Sequence, residues 1–317
     1  MKSIEEIPKK AMKALEGIEF STFVVGVSEG DLTLKQKVKA LVEKEIEKGT
    51  GAKKDNSNPQ VQVMIGQGKN PVKLLIEPLF ISGRYQKLER GIPQTKWPCR
   101  DCKGNGCAKC DYTGAQYKNS VEQTVAAPFL EQAQGNGHSL HGAGREDRDA
   151  RMLGTGRPFV VEIKEPRKRQ IDLEKAAEEI NAGGKVKVTD LKMATRYEIK
   201  PLKASRAEKT YSALVKAEKP LKKEELLKLK ELIGEIKQNT PQRVLHRRSD
   251  LERPRKLLEL DAEYIDETHF RALLRTEAGL YVKELISGDN GRTKPNMSEL
   301  LGNKLVCEEL DVLDVDL

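Results

Sequence analysis

The sequence predicts an α+β fold, a mixed α/β arrangement rather than a regular doubly wound one. Near the start, strand, helix, strand and strand patterns follow one another and make a compact α/β unit. From about residue 120 onward, period-two and helical-period segments mix without βαβ alternation. No G-x-G-x-x-G follows a strand, and neither a Walker motif nor a nucleophile elbow occurs. This reading divides the chain into a smaller domain, residues 1–118, and a larger one, residues 119–317.

Residues 4–16 have helical spacing, with Ile4, Ile7, Met12 and Leu15 on one side and Pro8 confined to the first turn. Residues 20–27 are rich in aromatic and β-branched side chains and read as a strand. Thr33 and Gln36 make a capping-box pair, opening a helix in which Leu34, Val38, Leu41, Val42 and Ile46 share a face. After a polar loop at 49–59, Val61, Val63 and Ile65 alternate as a strand, and residues 72–76 form another. Residues 79–97 interleave Arg84, Lys87, Arg90 and Lys96 with Phe80, Tyr85 and Trp97. That pattern suits either a polynucleotide backbone with its bases or a solvated connector.

Cys99-x-x-Cys102 and Cys107-x-x-Cys110 follow, with Gly104, Gly106 and Gly114 permitting tight turns. Four thiolates at this spacing close a tetrahedral site with no open position, so a structural Zn2+ is the expectation. Iron–sulfur spacing differs from it. Cys307 stands apart and reads as a small core residue.

Beyond the cysteines, Ser120 with Gln123 opens a helix carrying Val121, Val125 and Phe129. His138 and His141 read as hydrogen-bonding residues rather than catalytic bases. A strand at 158–163 leads to the basic turn 165–169, and Asp172 caps a helix that ends at Gly183-Gly184. Val186 and Val188 alternate with lysines in a strand, and residues 193–199 read as another. Residues 209–215 are strand-like and contain one polar aromatic, Tyr211. Residues 221–236 read as an amphipathic helix introduced by Pro220. The strongest basic block spans 244–248 and 253–256. Strands at 257–265 and 270–274, a short helix at 280–286, a polar loop at 288–296, a short helix near 299–301 and a strand at 305–315 complete the chain.

The net charge is +8, with 33% charged residues. That balance favours an acidic partner, nucleic acid before an anionic membrane surface. No apolar run approaches bilayer-spanning length, and the N-terminus has no signal-peptide core, so a cytoplasmic protein with no membrane partner is expected.

Residues 144–159 gather four arginines, two aspartates and a glutamate directly before the apolar run from Phe159 to Ile163. Carboxylates held among guanidinium groups, in a glycine-punctuated loop at the edge of a strand, suggest a reactive site for a polyanion. The run Gly144-Arg145-Glu146-Asp147-x-Asp149-x-Arg151-Met152-Leu153-Gly154 resembles the catalytic signature of the archaeal and eukaryotic tRNA pseudouridine synthases of the Pus-ten family. Leu79-Phe80-Ile81-x-Gly83-Arg84-Tyr85, Gly91-Ile92-Pro93-Gln94-Thr95-Lys96-Trp97, Tyr281-x-Lys283-Glu284 and Gly288-Asp289-x-Gly291-Arg292-Thr293-Lys294-Pro295-Asn296 are similar to further motifs of that family.

The resemblance implies a pseudouridine-synthase-like catalytic domain with a central mixed or antiparallel sheet, and a smaller N-terminal α/β RNA-binding domain that is THUMP-like. It implies isomerisation of uridine fifty-five, and of its neighbour fifty-four, in the TΨC arm of tRNA. By motif, Asp147 is the catalytic aspartate, and Tyr211, within Lys-x-Tyr-x-Ala-x-Val, is the active-site tyrosine. Val282 and Lys283 match an apolar–basic pair, with Lys283 as the ion-pair partner of Asp147. Leu310 matches the apolar residue that closes the pocket, while Arg145 and Arg151 position phosphate or buttress the loop. Breaking N1–C1′ and forming C5–C1′ involves no redox change, so no cofactor for catalysis and no obligate protein partner are expected. Asp147 either attacks C1′ or takes a proton from C2′. Two other readings are a non-catalytic tRNA-binding or chaperone module and a metal-dependent nuclease using Asp147 and Asp149.

Overall fold

A computed structural model describes residues 5–28, 30–66 and 70–316. Its first sheet is built from strands β1 (Thr22–Val27), β2 (Lys53–Lys54), β3 (Val61–Ile65) and β4 (Val72–Ile76), in the order β2-β1-β3-β4. Alternation puts Phe23, Val25, Val61 and Val63 on one face, where they pack against Ala11 and Leu15 of helix α1 (Glu6–Leu15) and Val38, Val42 and Ile46 of helix α2 (Leu32–Thr50). The cap of α2 is Asp31, whose carboxylate accepts the Leu34 N–H at 2.8 Å, not the Thr33 expected from sequence. A carboxylate at that position also meets the positive end of the helix dipole, which favours it over a hydroxyl. Ile4, assigned to the first helix from its spacing, lies outside the described residues.

The second sheet contains β5 (Leu79–Lys87), β6 (Gly137–Gly142), β7 (Arg151–Lys164), β8 (Val186–Ala194), β9 (Lys209–Ala217), β10 (Gly234–Asn239), β11 (Glu252–Asp266), β12 (His269–Thr276), β13 (Thr293–Lys294) and β14 (Leu305–Val315). Its order is β13-β10-β11-β12-β9-β14-β7-β5-β8, with β6 beside β7. Only β14 and β7 run parallel among the described strands of this sheet, so it is mixed and mainly antiparallel. Sheet membership changes between β4 and β5, whereas the sequence pattern puts the boundary at residue 118.

Helices α3 (Val121–Ala133) and α4 (Leu173–Ala182) cover β5, β7 and β8 through Val125, Phe129, Ala176 and Ile180. A second core joins β9, β11 and β12 to helix α6 (Val282–Ser287), with α5 (Ile199–Ala204) and α7 (Met297–Leu300) completing the helices. Tyr211 packs against both cores, so the candidate site lies where they meet. Cys307 is half-buried against the second core, as a small core residue would be.

Three elements differ from the sequence pattern. Residues 221–236, expected as one helix, form a 3₁₀ run at Lys223–Leu232 followed by β10. Leu226, Leu229 and Leu232 are buried at a spacing of three, which suits three residues per turn better than 3.6. Residues 193–199 leave β8 at Ala194, because Thr195 caps a 3₁₀ turn whose Glu198 carboxylate accepts the Thr195 N–H at 3.0 Å. Strand β7 begins at Arg151, well before the strand start expected at Pro158. Gly154 and Gly156 lie inside it at φ +57 and +77. A Cβ on Gly154 would sit 1.7 Å from the Leu313 carbonyl oxygen, so only glycine lets β14 approach so closely. Among the described residues no helix is long and apolar enough to cross a membrane.

Candidate active site

The loop between β6 and β7 carries Asp147 to a cleft of about 330 Å³. Tyr211 from β9, Leu310 from β14, Val282 and Lys283 from the start of α6, and Arg145 line the same cleft. Of the catalytic and substrate-binding residues that the resemblance implies, all therefore meet there except Arg151. That side chain pairs with Asp311 instead, Nε to Oδ1 at 2.9 Å and Nη2 to Oδ2 at 2.7 Å. Burial raises the Asp311 carboxyl, but Arg151 and Arg90 outweigh it and hold the group below its ordinary value. Arg151 thus ties β7 to β14 beneath the loop.

Asp147 sits between two cations. Its Oδ1 accepts Nη1 of Arg243 at 3.0 Å, while Lys283 Nζ lies 3.6 Å from Oδ2. Lys283 makes its shorter contact, 2.7 Å, with Asp149, so it is shared between the two aspartates rather than dedicated to Asp147. Arg243, absent from the sequence-based site, is the nearer partner. Glu284 fixes it, with Nε to Oε1 at 2.7 Å. Burial opposes charge on Arg243, yet Glu284 and Asp147 more than compensate and raise its pKa. The available signal was Glu284 itself: a carboxylate facing the core side of a short helix needs a basic partner, here the partly exposed Arg243.

The loop is anchored from beneath by buried polar groups. Tyr85 and Lys87, two apart on β5, share a face. Lys87 is fully buried, and its ammonium donates to the carbonyls of Ile92, Asp147 and Arg148 at 2.8, 3.0 and 3.1 Å. Burial pushes it down to about 8, against the pull of Glu146, Asp149 and Asp147. Glu146 points inward, accepting Arg157 Nε at 2.9 Å and the Tyr85 hydroxyl at 2.8 Å. Gln94 donates to the Tyr85 oxygen at 2.8 Å and to Gly144 O at 3.0 Å, and Arg157 donates to Ala143 O at 2.6 Å. Adjacent carboxylates thus have opposite fates: Glu146 holds the loop, and Asp147 faces the cleft.

Burial pushes the Tyr211 hydroxyl up to about 12, although Arg157 opposes the shift, so it keeps its proton at neutral pH. Lys209 also lines the cleft, donating to Ala207 O at 2.8 Å, and burial with the nearby Arg157 lowers its ammonium to about 8. Arg248, Arg253 and Arg255 add positive charge to the walls, as the basic block leads one to expect. His138 and His141 lie on β6, hydrogen-bonded to Glu122 and Glu162 at 3.2 Å each.

The four cysteine sulfurs lie within 4.8 Å of one another, and among the described residues no other His, Cys, Asp and Glu side chains form such a group. Sγ separations are 4.0 Å for Cys99–Cys107 and 3.8 Å for Cys102–Cys110 and Cys107–Cys110. A tetrahedron with metal–sulfur bonds of about 2.3 Å has edges of about 3.8 Å. The Gly106 and Cys107 N–H groups also point at Cys102 and Cys110 sulfurs, at 3.1 and 3.3 Å, which favours thiolates. The cluster therefore fits a metal ion.

A family model described as "Pus10, C-terminal" matches residues 80–316. The "tRNA pseudouridine synthase Pus10" of Methanocaldococcus jannaschii is 45% identical, over 98% of this chain and 72% of that protein. The protein of the same name from Archaeoglobus fulgidus is 41% identical, over 98% of this chain and 92% of that one. Among solved structures, a Cbf5-Nop10-Gar1 complex is similar over 60% of this chain and 44% of that chain, at 18% identity and a TM-score of 0.39.

Proposed function

The chain belongs to the Pus10 family of tRNA pseudouridine synthases, and from that premise we propose that its cleft isomerises uridine fifty-five, and its neighbour fifty-four, in the TΨC arm of tRNA. The observation that supports this most is the convergence of Asp147, Tyr211, Val282, Lys283 and Leu310 on one cleft from four separate elements.

In this reading the target uridine leaves its stack to enter the cleft, and the arginines of the walls hold the flanking phosphates. The N1–C1′ bond breaks with its electron pair going to N1, the uracil turns over, and C5 bonds to C1′; the C5 proton passes to a base and N1 takes up a proton, so the composition is unchanged. Asp147 acts at the ribose, either on C1′ as nucleophile or on the C2′ proton as base, oriented by Arg243 and Lys283. The Tyr211 ring lies under the base, and its hydroxyl, protonated at neutral pH, is a donor there. Val282, Leu310 and Leu280 form an apolar wall that excludes water from the detached uracil. Every atom and electron pair balances without a redox cofactor. A nuclease using Asp147 and Asp149 finds no support in this geometry, because the Lys283 ammonium stands where their shared cation would bind.

The N-terminal part is assigned to RNA binding as a THUMP-like domain, with tRNA as the partner and the cytoplasm as the setting. Cys99, Cys102, Cys107 and Cys110 are assigned to one structural zinc ion. Cys102→Ser is expected to lower bound zinc from about one equivalent per chain to none, measured on purified protein; a full equivalent in the variant would refute the assignment. The function itself is tested by incubating unmodified tRNA transcript with the chain and mapping pseudouridine chemically. Modification confined to the TΨC-arm uridines is expected, and unmodified uridines there after many equivalents of enzyme would overturn the reading.

A further inference from the structure

The cysteine knuckle and the loop carrying Asp147 meet through two cation–π pairs. The knuckle is pinched at its root, where Cys99 N–H donates to Gly114 O at 2.9 Å, Gln116 N–H donates to Trp97 O at 2.8 Å, and Pro98 pairs with Ala115. This pairing sets Trp97 and Tyr117 side by side, with ring centroids 5.5 Å apart and planes at 69°. The Arg145 guanidinium lies 5.5 Å from the Trp97 ring centroid, and that of Arg148 lies 5.0 Å from Tyr117. These arginines bracket Asp147 in sequence. Both are exposed, while the two rings are half-buried. A guanidinium over an aromatic face is confined in direction by the ring. A lysine in the same place would bring the charge without the planar stack.

Resting on the reading of the cleft as an RNA-modifying site, we propose that Trp97 and Tyr117 form a stacking platform that holds Arg145 and Arg148 toward the RNA phosphates beside the target uridine. Closure of the knuckle by its four cysteines sets the platform, so the knuckle governs RNA affinity rather than the chemical step. The division follows from how the loop is held. The backbone of Asp147 and Arg148 is anchored independently by Lys87, and Glu146 is anchored by Arg157 and Tyr85. Removing the platform therefore takes the aromatic support from Arg145 and Arg148 and leaves the reacting carboxylate in place. Trp97 and Tyr117 are positioning residues, because they act on the substrate through the arginines.

The test uses the full chain carrying Trp97→Ala and Tyr117→Ala together, with tRNA affinity measured across a salt series and the single-turnover rate measured at saturating tRNA. Affinity is expected to fall about tenfold. The slope of log affinity against log salt should flatten by nearly one for each phosphate that Arg145 and Arg148 no longer neutralise. The saturating rate should stay within about threefold of wild type, and Trp97→Phe should bind as wild type does. Stripping the metal from the wild-type chain should weaken tRNA binding by the same factor and add nothing in the double alanine variant. If that variant loses its folding transition, Arg145→Lys with Arg148→Lys replaces it, and several-fold weaker binding is expected with both aromatics intact. Wild-type affinity and salt slope in these variants would overturn the proposal, as would a fall in saturating rate with affinity unchanged. An inactive wild-type chain that still shows this binding pattern would sink the isomerase reading and leave the platform standing. An active wild-type chain whose variants bind normally would sink the platform alone.

Discussion

Asp147→Ala is expected to abolish pseudouridine formation, with a rate loss of about 10⁴-fold or more, while tRNA affinity stays within a few-fold of wild type. The asymmetry comes from the neighbours of the carboxylate. Truncation takes away the group that acts at the ribose but leaves the arginines of the cleft walls to bind phosphate. It also orphans neither cation, since Arg243 keeps Glu284 at 2.7 Å and Lys283 keeps Asp149 at 2.7 Å. Asp147 is about one-third exposed, so removing its ion pairs changes stability by about 1 kcal/mol or less. A thermal transition close to wild type should therefore accompany the inactive variant. Turnover in a folded Asp147→Ala protein would remove Asp147 from the mechanism.

Arg157→Met is expected to have the largest effect on folding, about 3–5 kcal/mol of destabilisation. The Arg157 side chain is 1% exposed, and that of its partner Glu146 is 0% exposed. With the guanidinium gone, Glu146 keeps, among the described residues, hydrogen bonds from the Tyr85 hydroxyl and a long one from Gln94, and the Ala143 carbonyl loses its 2.6 Å donor. A buried carboxylate without its counter-charge costs far more than the pair itself contributes. Adding Glu146→Gln to Arg157→Met should therefore recover part of the loss rather than add to it. Denaturant unfolding measures both variants. A single-variant loss below about 1 kcal/mol, or full additivity in the double variant, would show that this network does not hold the loop.

Strands β8, β9, β11, β12 and β14 of the large sheet are legible because a side-chain period of two survives in a single sequence, whereas β5, β6, β10 and β13 are not read from it. The strand expected at 305–315 matches β14, and Tyr211 falls in β9 as its strand-like run implies. The 3₁₀ run at Lys223–Leu232 is not legible, since leucines at a spacing of three also satisfy a helical stripe. Within the site, the residues named by motif converge, but their pairing is hidden. Asp147 and Arg243 are separated by 96 positions and meet only through the sheet. Lys87 reads from sequence as a base facing solvent or RNA, because charge in a strand ordinarily marks the open face; here three backbone carbonyls compensate its burial. Arg151 carries the same ambiguity between phosphate and buttress, and its bidentate pairing with Asp311 places it beneath the loop.

The most direct measurement is release of tritium from C5-labelled uridine in unmodified tRNA, followed side by side for the wild-type chain and Asp147→Ala. Release by the wild-type chain equal to the pseudouridine formed, with none from the variant, is the result this structure leads one to expect. Equal release from both proteins, or tRNA cleavage in place of release, would contradict it.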